Sequence, residues 1–171
     1  RGLTSIEIPS SVKSIEGNVF RECLEVSSIK VDKNNKMYDS REDCNAIIDS
    51  KTNTLITGCM STIIPNNTTS IGSDAFYNIR KLTSINIPGS VNSIGATAFR
   101  GTRITSIEIP DNVTSIGFGA FWDCERLTSV KLPNNLSAIE SYLFDFCTNL
   151  TSIVIPNSVT SIGEKSFAYC R

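Results

Sequence analysis

The stretch Leu127-Thr-Ser-Val-Lys-Leu-Pro133 recurs 23 residues later as Leu150-Thr-Ser-Ile-Val-Ile-Pro156. Closely related stretches begin at Leu3, Leu82 and Ile104, and two more degenerate ones begin at Val26 and Cys59. The spacing between starts is 23 residues, except for 22 from Leu82 to Ile104 and 33 from Val26 to Cys59. Because a fixed period of this length is typical of repeat architectures, the sequence predicts seven copies of one stacked unit.

The remainder of each unit follows the pattern V-x-x-I-G-x-x-A-F-x-x-C. The β-branched alternation before the proline predicts a short strand, and the proline ends it because proline cannot donate to a ladder. The A-F-x-x-C stretch predicts one turn of α- or 3₁₀-helix that directs Phe and Cys inward. Stacked units turn the repeated apolar positions into continuous columns, and the phenylalanine column comprises Phe20, Phe76, Phe99, Phe121, Phe144 and Phe167. We therefore expect an α/β repeat solenoid over residues 1–171, with seven coils and one short parallel strand per coil.

The composition narrows the classes of function. The chain has 16 Lys and Arg against 17 Asp and Glu, so no basic excess favours nucleic-acid binding. Its apolar runs are only a few residues long, which argues against direct membrane insertion. It contains no histidine, which removes imidazole from acid–base catalysis and from metal binding. We expect a protein that is not an enzyme and that uses no cofactor.

The pattern L-T-S-I-x-I-P-x-x-V-x-S-I-G-x-x-A-F-x-x-C resembles the 23-residue BspA-type leucine-rich repeat, also called the treponemal type. The resemblance covers the chain apart from one insertion. It implies a right-handed leucine-rich-repeat coil and an extracellular or cell-surface bacterial protein that adheres to host matrix or surface proteins. The family provides no catalytic residues to carry over, and its breadth leaves the partner open.

The insertion spans residues 32–58 of the second coil and predicts a β-hairpin. Residues 46–49 and 54–57 form short strands about the polar turn at 50–53. Pairing Asp49 with Thr54 places Cys44 opposite Cys59, so we expect these two cysteines to be neighbours. They form either a disulfide or two packed thiols.

The other four cysteines occupy one column of the repeat, at Cys23, Cys124, Cys147 and Cys170. A metal or redox cluster is one interpretation. Packing is the better one, because no C-x-x-C pair is present and cysteine behaves as a small buried hydrophobe. We therefore predict no metal site.

Binding has to use the positions that the core columns leave over. The strand face carries a serine ladder beside a variable column that includes Glu7, Lys30, Asn86, Glu108 and Lys131. The turn side carries aromatic residues outside the phenylalanine column: Tyr77, Phe118, Trp122, Tyr142, Phe146 and Tyr169. Phe118 and Trp122 are four residues apart and are expected on one face. Exposed aromatic groups often mark contacts, although such residues also fill gaps between coils.

These features favour a surface or secreted adhesion module with a protein partner. Two alternatives stay open: a structural spacer that presents another domain, and a carbohydrate-binding module that uses Trp122 and the tyrosines as stacking platforms. The chain begins and ends inside the repeat pattern without a polar capping unit, which indicates a piece of a longer protein.

Overall fold

A computed structural model of the chain describes residues 2–16, 19–20 and 23–171. The chain winds through seven coils, which begin at residues 3, 26, 59, 82, 104, 127 and 150 and are numbered here in that order. The described strands are short: β1 Ser5–Ile8, β2 Ser28–Val31, β3 Tyr38–Asp39, β4 Ala46–Asp49, β5 Thr54–Gly58, β6 Ser70–Ile71, β7 Ser93–Ile94, β8 Ser106–Glu108, β9 Ser115–Ile116, β10 Ser129–Lys131, β11 Ala138–Ile139 and β12 Ser161–Ile162. One 3₁₀ turn spans Arg41–Asp43.

The predicted strand column is present in part. β1 pairs with β2 in parallel, with Ser5 beside Ser28, and β8 pairs with β10, with Ser106 beside Ser129. This register confirms the alignment of the repeats. The corresponding segments of coils 3, 4 and 7 (residues 59–65, 82–88 and 150–156) are fully described and contain no strand.

A second strand column lies at the S-I-G positions, where the sequence did not predict one. Here β6, β7 and β9 pair in parallel in one sheet, and β11 pairs with β12 in another. Glycine permits the close approach of these coils. A Cβ atom added to Gly95 would lie 2.4 Å from the backbone nitrogen of Ser73. The prediction of one strand per coil was therefore incomplete.

The prediction of a helical turn was wrong, and the α/β label with it. The A-F-x-x-C segments are turns, and the described residues contain no α-helix. In coil 3 the N–H groups of Asp74, Phe76 and Asn78 donate to carbonyls of coil 4, with N···O distances of 3.0, 2.7 and 2.7 Å. The intervening N–H groups of Ala75 and Tyr77 donate within the turn. Hydrogen bonds between coils thus replace the helical i→i−4 bonds, and the architecture is a β-solenoid.

The hairpin is formed by β4 and β5, and β5 continues in parallel pairing with β6. Asp49 faces Thr54 and Ile48 faces Leu55, as predicted. A bulge between Ile47 and Ile48 then shifts the register by one residue, so that Ala46 faces Gly58. The described pairing ends at Ala46 and Gly58, so it includes neither Cys44 nor Cys59, and their opposition stays a prediction. Both are free thiols that belong to different core clusters, and the Cys59 thiol contacts the carbonyl oxygen of Asn45, the residue after Cys44, at 3.3 Å.

The core is a stack of phenylalanine rings that the hairpin closes at one end. From Phe76 through Phe99, Phe121 and Phe144 to Phe167, consecutive ring centroids are 5.1, 5.3, 5.5 and 5.8 Å apart. The ring of Phe76 abuts Gly58, where an added Cβ would lie 2.3 Å from the ring. Phe20 does not continue this stack. It packs in a separate, smaller cluster with Val26, Ile29 and Ile47. The solenoid consequently has two cores, with the hairpin between them.

Candidate functional site

The cysteine column is chemically quiet. The thiols of Cys124, Cys147 and Cys170 contact the carbonyl oxygens of phenylalanines in the preceding coil, at 3.2–3.3 Å. Burial raises the pKa of Cys124 to about 12 and also raises the pKa of Cys147. Because the thiolate is the reactive and metal-binding form, these groups are held in their inert state. Within the described residues, no three His, Cys, Asp or Glu side chains are grouped to hold a metal ion.

The strand face forms a shallow, open surface. Asn86, Glu108 and Lys131 line a groove of about 650 Å³ across coils 3 to 6. Glu108 and Lys131 form an ion pair at 2.5 Å with both side chains largely in solvent, so it adds little stability. Glu7 and Lys30 are register partners on β1 and β2 and line a second open hollow of about 480 Å³. The groove is rich in serine, and its exposed apolar side chain, Ile63, stands alone.

Three of the predicted aromatic residues come together on the turn side. Phe118 and Trp122 meet edge to face with centroids 6.3 Å apart, and Tyr142 from the next coil lies 5.2 Å from each. Phe118 is 43% exposed, and the other two rings are half-buried. We call these three residues the aromatic ridge. Contacts of this geometry stabilise each ring pair by about 0.5–1.5 kcal/mol, so the ridge is a rigid surface.

Two cationic side chains extend the ridge, and the sequence did not predict that they belong to it. The Arg100 guanidinium lies 3.7 Å from the centroid of Trp122 and 5.4 Å from that of Tyr77. At the other end, the Lys165 ammonium lies 5.4 Å from the ring of Tyr142 and donates to its hydroxyl at 3.3 Å. The repeat positions could have indicated these contacts. Tyr77, Arg100 and Trp122 share one repeat position, and Tyr142 and Lys165 share another.

Phe146 and Tyr169 form a second aromatic group, which we call the outer pair. Their rings stack at 4.3 Å with 21° between planes, and their side chains are 40% and 56% exposed. Both residues have positive φ, 58° and 57°, as does Tyr142 at 60°. The equivalent positions in coils 3, 4 and 5 hold Asn78, Gly101 and Asp123, which adopt this left-handed conformation more readily. The turn therefore favours Asn, Gly or Asp, whereas coils 6 and 7 carry exposed aromatic residues there.

A buried carboxyl group lies in the same column as Trp122, one coil further along. Asp145 is 2% exposed, and its Oδ1 atom has no hydrogen-bond partner within the part of the chain that the structure describes. Burial raises its pKa, partly offset by a hydrogen bond to the backbone N–H of Phe146 and by the charge of Lys165. The sequence carried no signal for this group, because other coils have Tyr, Arg, Trp or Ala at the position.

The repeat geometry agrees with a sequence comparison. The BspA type leucine-rich repeat region matches residues 1–47 and 46–171, in six copies. The chain belongs to the BspA-type leucine-rich repeat family. This confirms the resemblance drawn from the repeat pattern. Comparison with curated proteins finds no match.

Solved structures of leucine-rich repeat proteins share the fold. A leucine-rich repeat protein from Bacteroides ovatus is 29% identical with a TM-score of 0.69, and 96% of this chain aligns with 43% of it. A leucine rich cell surface protein from Faecalibacterium prausnitzii is 26% identical with a TM-score of 0.62, at 99% and 40% coverage. A leucine-rich repeat protein from Eubacterium ventriosum is 24% identical with a TM-score of 0.65, at 98% and 59% coverage. The chain thus spans between 40% and 59% of the length of these three neighbours.

The part of this BspA-type chain that the structure describes contains no helix long and apolar enough to cross a membrane.

Proposed function

We propose that this chain is a non-catalytic, protein-binding module of a cell-surface or secreted protein, and that it binds through the aromatic ridge and the outer pair. The outer pair carries the proposal. Phe146 and Tyr169 are exposed and occupy left-handed positions that disfavour bulky side chains by roughly 1–2 kcal/mol each. Residues that reduce stability and face solvent are better explained by contact with a partner than by folding.

The chemistry of the surface supports a protein partner. Tyr, Trp and Arg predominate among the residues that dominate protein interfaces, because they offer large contact area with little side-chain entropy to lose. Trp122, Tyr142 and Arg100 already hold one another in place. A host matrix or surface protein is the partner class that we propose. The surface setting is supported by the family and by the cell-surface protein among its structural neighbours.

A glycan partner is less well supported. Sugars stack on open ring faces, but Trp122 is half-buried between Arg100 of coil 4 and Tyr142 of coil 6. One observation supports a purely structural spacer. The serine-rich strand face offers few of the large side chains that anchor interfaces.

The test is binding of the chain to a panel of immobilised extracellular-matrix proteins, measured by surface plasmon resonance beside a glycan array. We expect saturable binding to at least one protein. The Phe146→Asn and Tyr169→Asn variants should weaken that binding about tenfold or more, as loss of an interface anchor does, with an unchanged or higher melting temperature. Asn86→Ala on the strand face is the matched control and should bind normally. Binding only to glycans, or an effect of Asn86→Ala alone, would contradict the proposal, and no binding would favour the spacer.

A further inference from the structure

The Arg100 side chain lies against two rings, and none of the described residues pairs with its polar edge. Its guanidinium lies 3.7 Å from the Trp122 centroid and 5.4 Å from the Tyr77 centroid. Among the described residues, Arg100 makes no side-chain hydrogen bond and no ion pair. Guanidinium faces stack on aromatic rings, while the N–H donors point outward in the plane of the group. Arg100 therefore holds its N–H donors ready in one orientation.

A planar fork of N–H donors matches the two oxygens of a carboxylate, and such charge-assisted bidentate pairs are among the strongest hydrogen bonds in proteins. The rings also remove much of the side-chain entropy that an arginine loses on binding. The exposed ring of Phe118 packs on the same Trp122 and offers an apolar surface. The two features together define a ligand with a carboxylate next to an apolar group.

We infer that Arg100 binds an Asp or Glu side chain of a protein partner, while an adjacent apolar residue of the same segment covers Phe118. This inference rests on the proposed function, because it specifies the chemistry of the partner at the aromatic ridge.

The charges around Arg100 favour a single carboxylate over a polyanion as its ligand. Burial and the nearby charge of Glu125 raise the pKa of Asp123. The positive charges of Arg80 and Arg100, which lie close to this carboxyl group, partly offset that rise. Glu164 pairs with Lys165 at 3.5 Å at the far end of the ridge. Anions thus flank the cations on both sides, so a densely sulfated chain would meet repulsion that one acidic side chain avoids.

Trp122 is the single tryptophan of the chain, so its fluorescence reports on this site alone. The probe is the synthetic peptide acetyl-Gly-Leu-Asp-Leu-Gly-amide, compared with the same peptide carrying Asn in place of Asp. We expect a saturable change in Trp122 emission with the Asp peptide. The Asn peptide should bind about tenfold more weakly or worse, because it lacks the charge-assisted bonds.

Arg100→Lys keeps the charge but removes the planar fork, and it should weaken binding of the Asp peptide about tenfold. Arg100→Gln provides a second variant if the lysine finds a new partner, and circular dichroism confirms that each variant is folded. Arg103→Lys is the matched control, because Arg103 is exposed and contacts no ring among the described residues. It should leave binding unchanged.

Equal binding of the two peptides, no response to either, or tighter binding of a heparin hexasaccharide would overturn the inference. If a matrix protein binds in a Phe146-dependent way but the Asp peptide does not bind, the proposed function stands and the carboxylate fork is wrong. If the Asp peptide binds through Arg100 while no matrix protein binds, the fork stands and the adhesive role fails.

Discussion

Single glycines determine how closely neighbouring coils approach. A methyl group on Gly95 would lie 2.4 Å from the backbone nitrogen of Ser73, whereas one on Gly89 would meet nothing within 4 Å. We expect Gly95→Ala to destabilise the fold by about 1–3 kcal/mol, since backbone has to move to admit the methyl group. Gly89→Ala should be neutral or slightly stabilising, because it only restricts the unfolded chain. Urea denaturation of both variants checks this, and equal midpoints would refute the role of coil spacing.

The buried carboxyl of Asp145 should make stability depend on pH in an unusual direction. Because its pKa is raised in the folded chain, the charged form is disfavoured, and stability from the neutral form is lost as pH rises through that pKa. We expect Asp145→Asn to be more stable than the parent at pH 7, by about 1 kcal/mol, the scale of an unsatisfied buried polar group. The advantage should shrink as the pH falls toward 4.

Asp111 is the control, because its pKa is shifted in the opposite direction. A hydrogen bond from the backbone N–H of Asn134 lowers its pKa, so its contribution is present at neutral pH and is lost on acidification. Asp111→Asn should therefore not raise the melting temperature at pH 7. A pH-independent effect of Asp145→Asn would show that its carboxyl carries no penalty in the folded chain.

At the scale of one element, the cysteine column should resist modification. The thiols of Cys124 and Cys147 are buried with raised pKa values, whereas Cys23 is half-buried and lies in the smaller core cluster. We expect iodoacetamide at pH 8 to label Cys23 well before Cys124 or Cys147, because little thiolate forms at the buried sites. Peptide mapping by mass spectrometry measures the rates. Labelling of Cys147 as fast as Cys23 would mean that the column opens readily.

Elements whose residues face the core were predictable, and the turns were not. Spacing alone aligned Ser5 with Ser28 and assembled the phenylalanine stack, because stacking identical coils forces identical positions together. The A-F-x-x-C turn appeared helical because its apolar spacing fits a helix. The left-handed residues that prevent a helix include Thr97, Tyr142 and Lys165, whose types give no such warning. In the hairpin, spacing gave the register from Ile48 to Leu55 but not the bulge that places Ala46 opposite Gly58.

The sequence predicted which aromatic residues belong to the candidate site, but it did not predict how they are arranged. Phe118 and Trp122 stood out as aromatic residues outside the phenylalanine column that are four positions apart. Arg100 and Lys165 did not stand out, since contacts between coils depend on side-chain direction rather than on sequence distance. Asp145 could not have been recognised, because the other coils hold Tyr, Arg, Trp or Ala at its repeat position.

For the whole molecule, the hairpin divides the core into two parts that should open separately. Ile29 belongs to the smaller cluster and Phe99 to the larger. We expect Ile29→Ala, which costs about 2–5 kcal/mol, to speed amide exchange in residues 2–16 and 23–31 and to leave residues 93–121 protected. Phe99→Ala should have its main effect on coils 3 to 7. Hydrogen exchange read by mass spectrometry separates these outcomes, and uniform acceleration by Ile29→Ala would show one cooperative unit.

The hydrogen bonds between coils also determine how the chain behaves under tension. Each coil adds only about 5 Å to the length of the stack, as the ring spacing of 5.1 Å in the phenylalanine column indicates. A released coil of 23 residues, by contrast, can extend to about 80 Å. Pulled from its ends, the solenoid should lengthen one coil at a time and lose coils 1 and 2 first, because the hairpin shields the longer phenylalanine stack. Under fluid shear, such a chain would extend gradually. The aromatic ridge of coils 5 and 6 would stay folded until late in the extension.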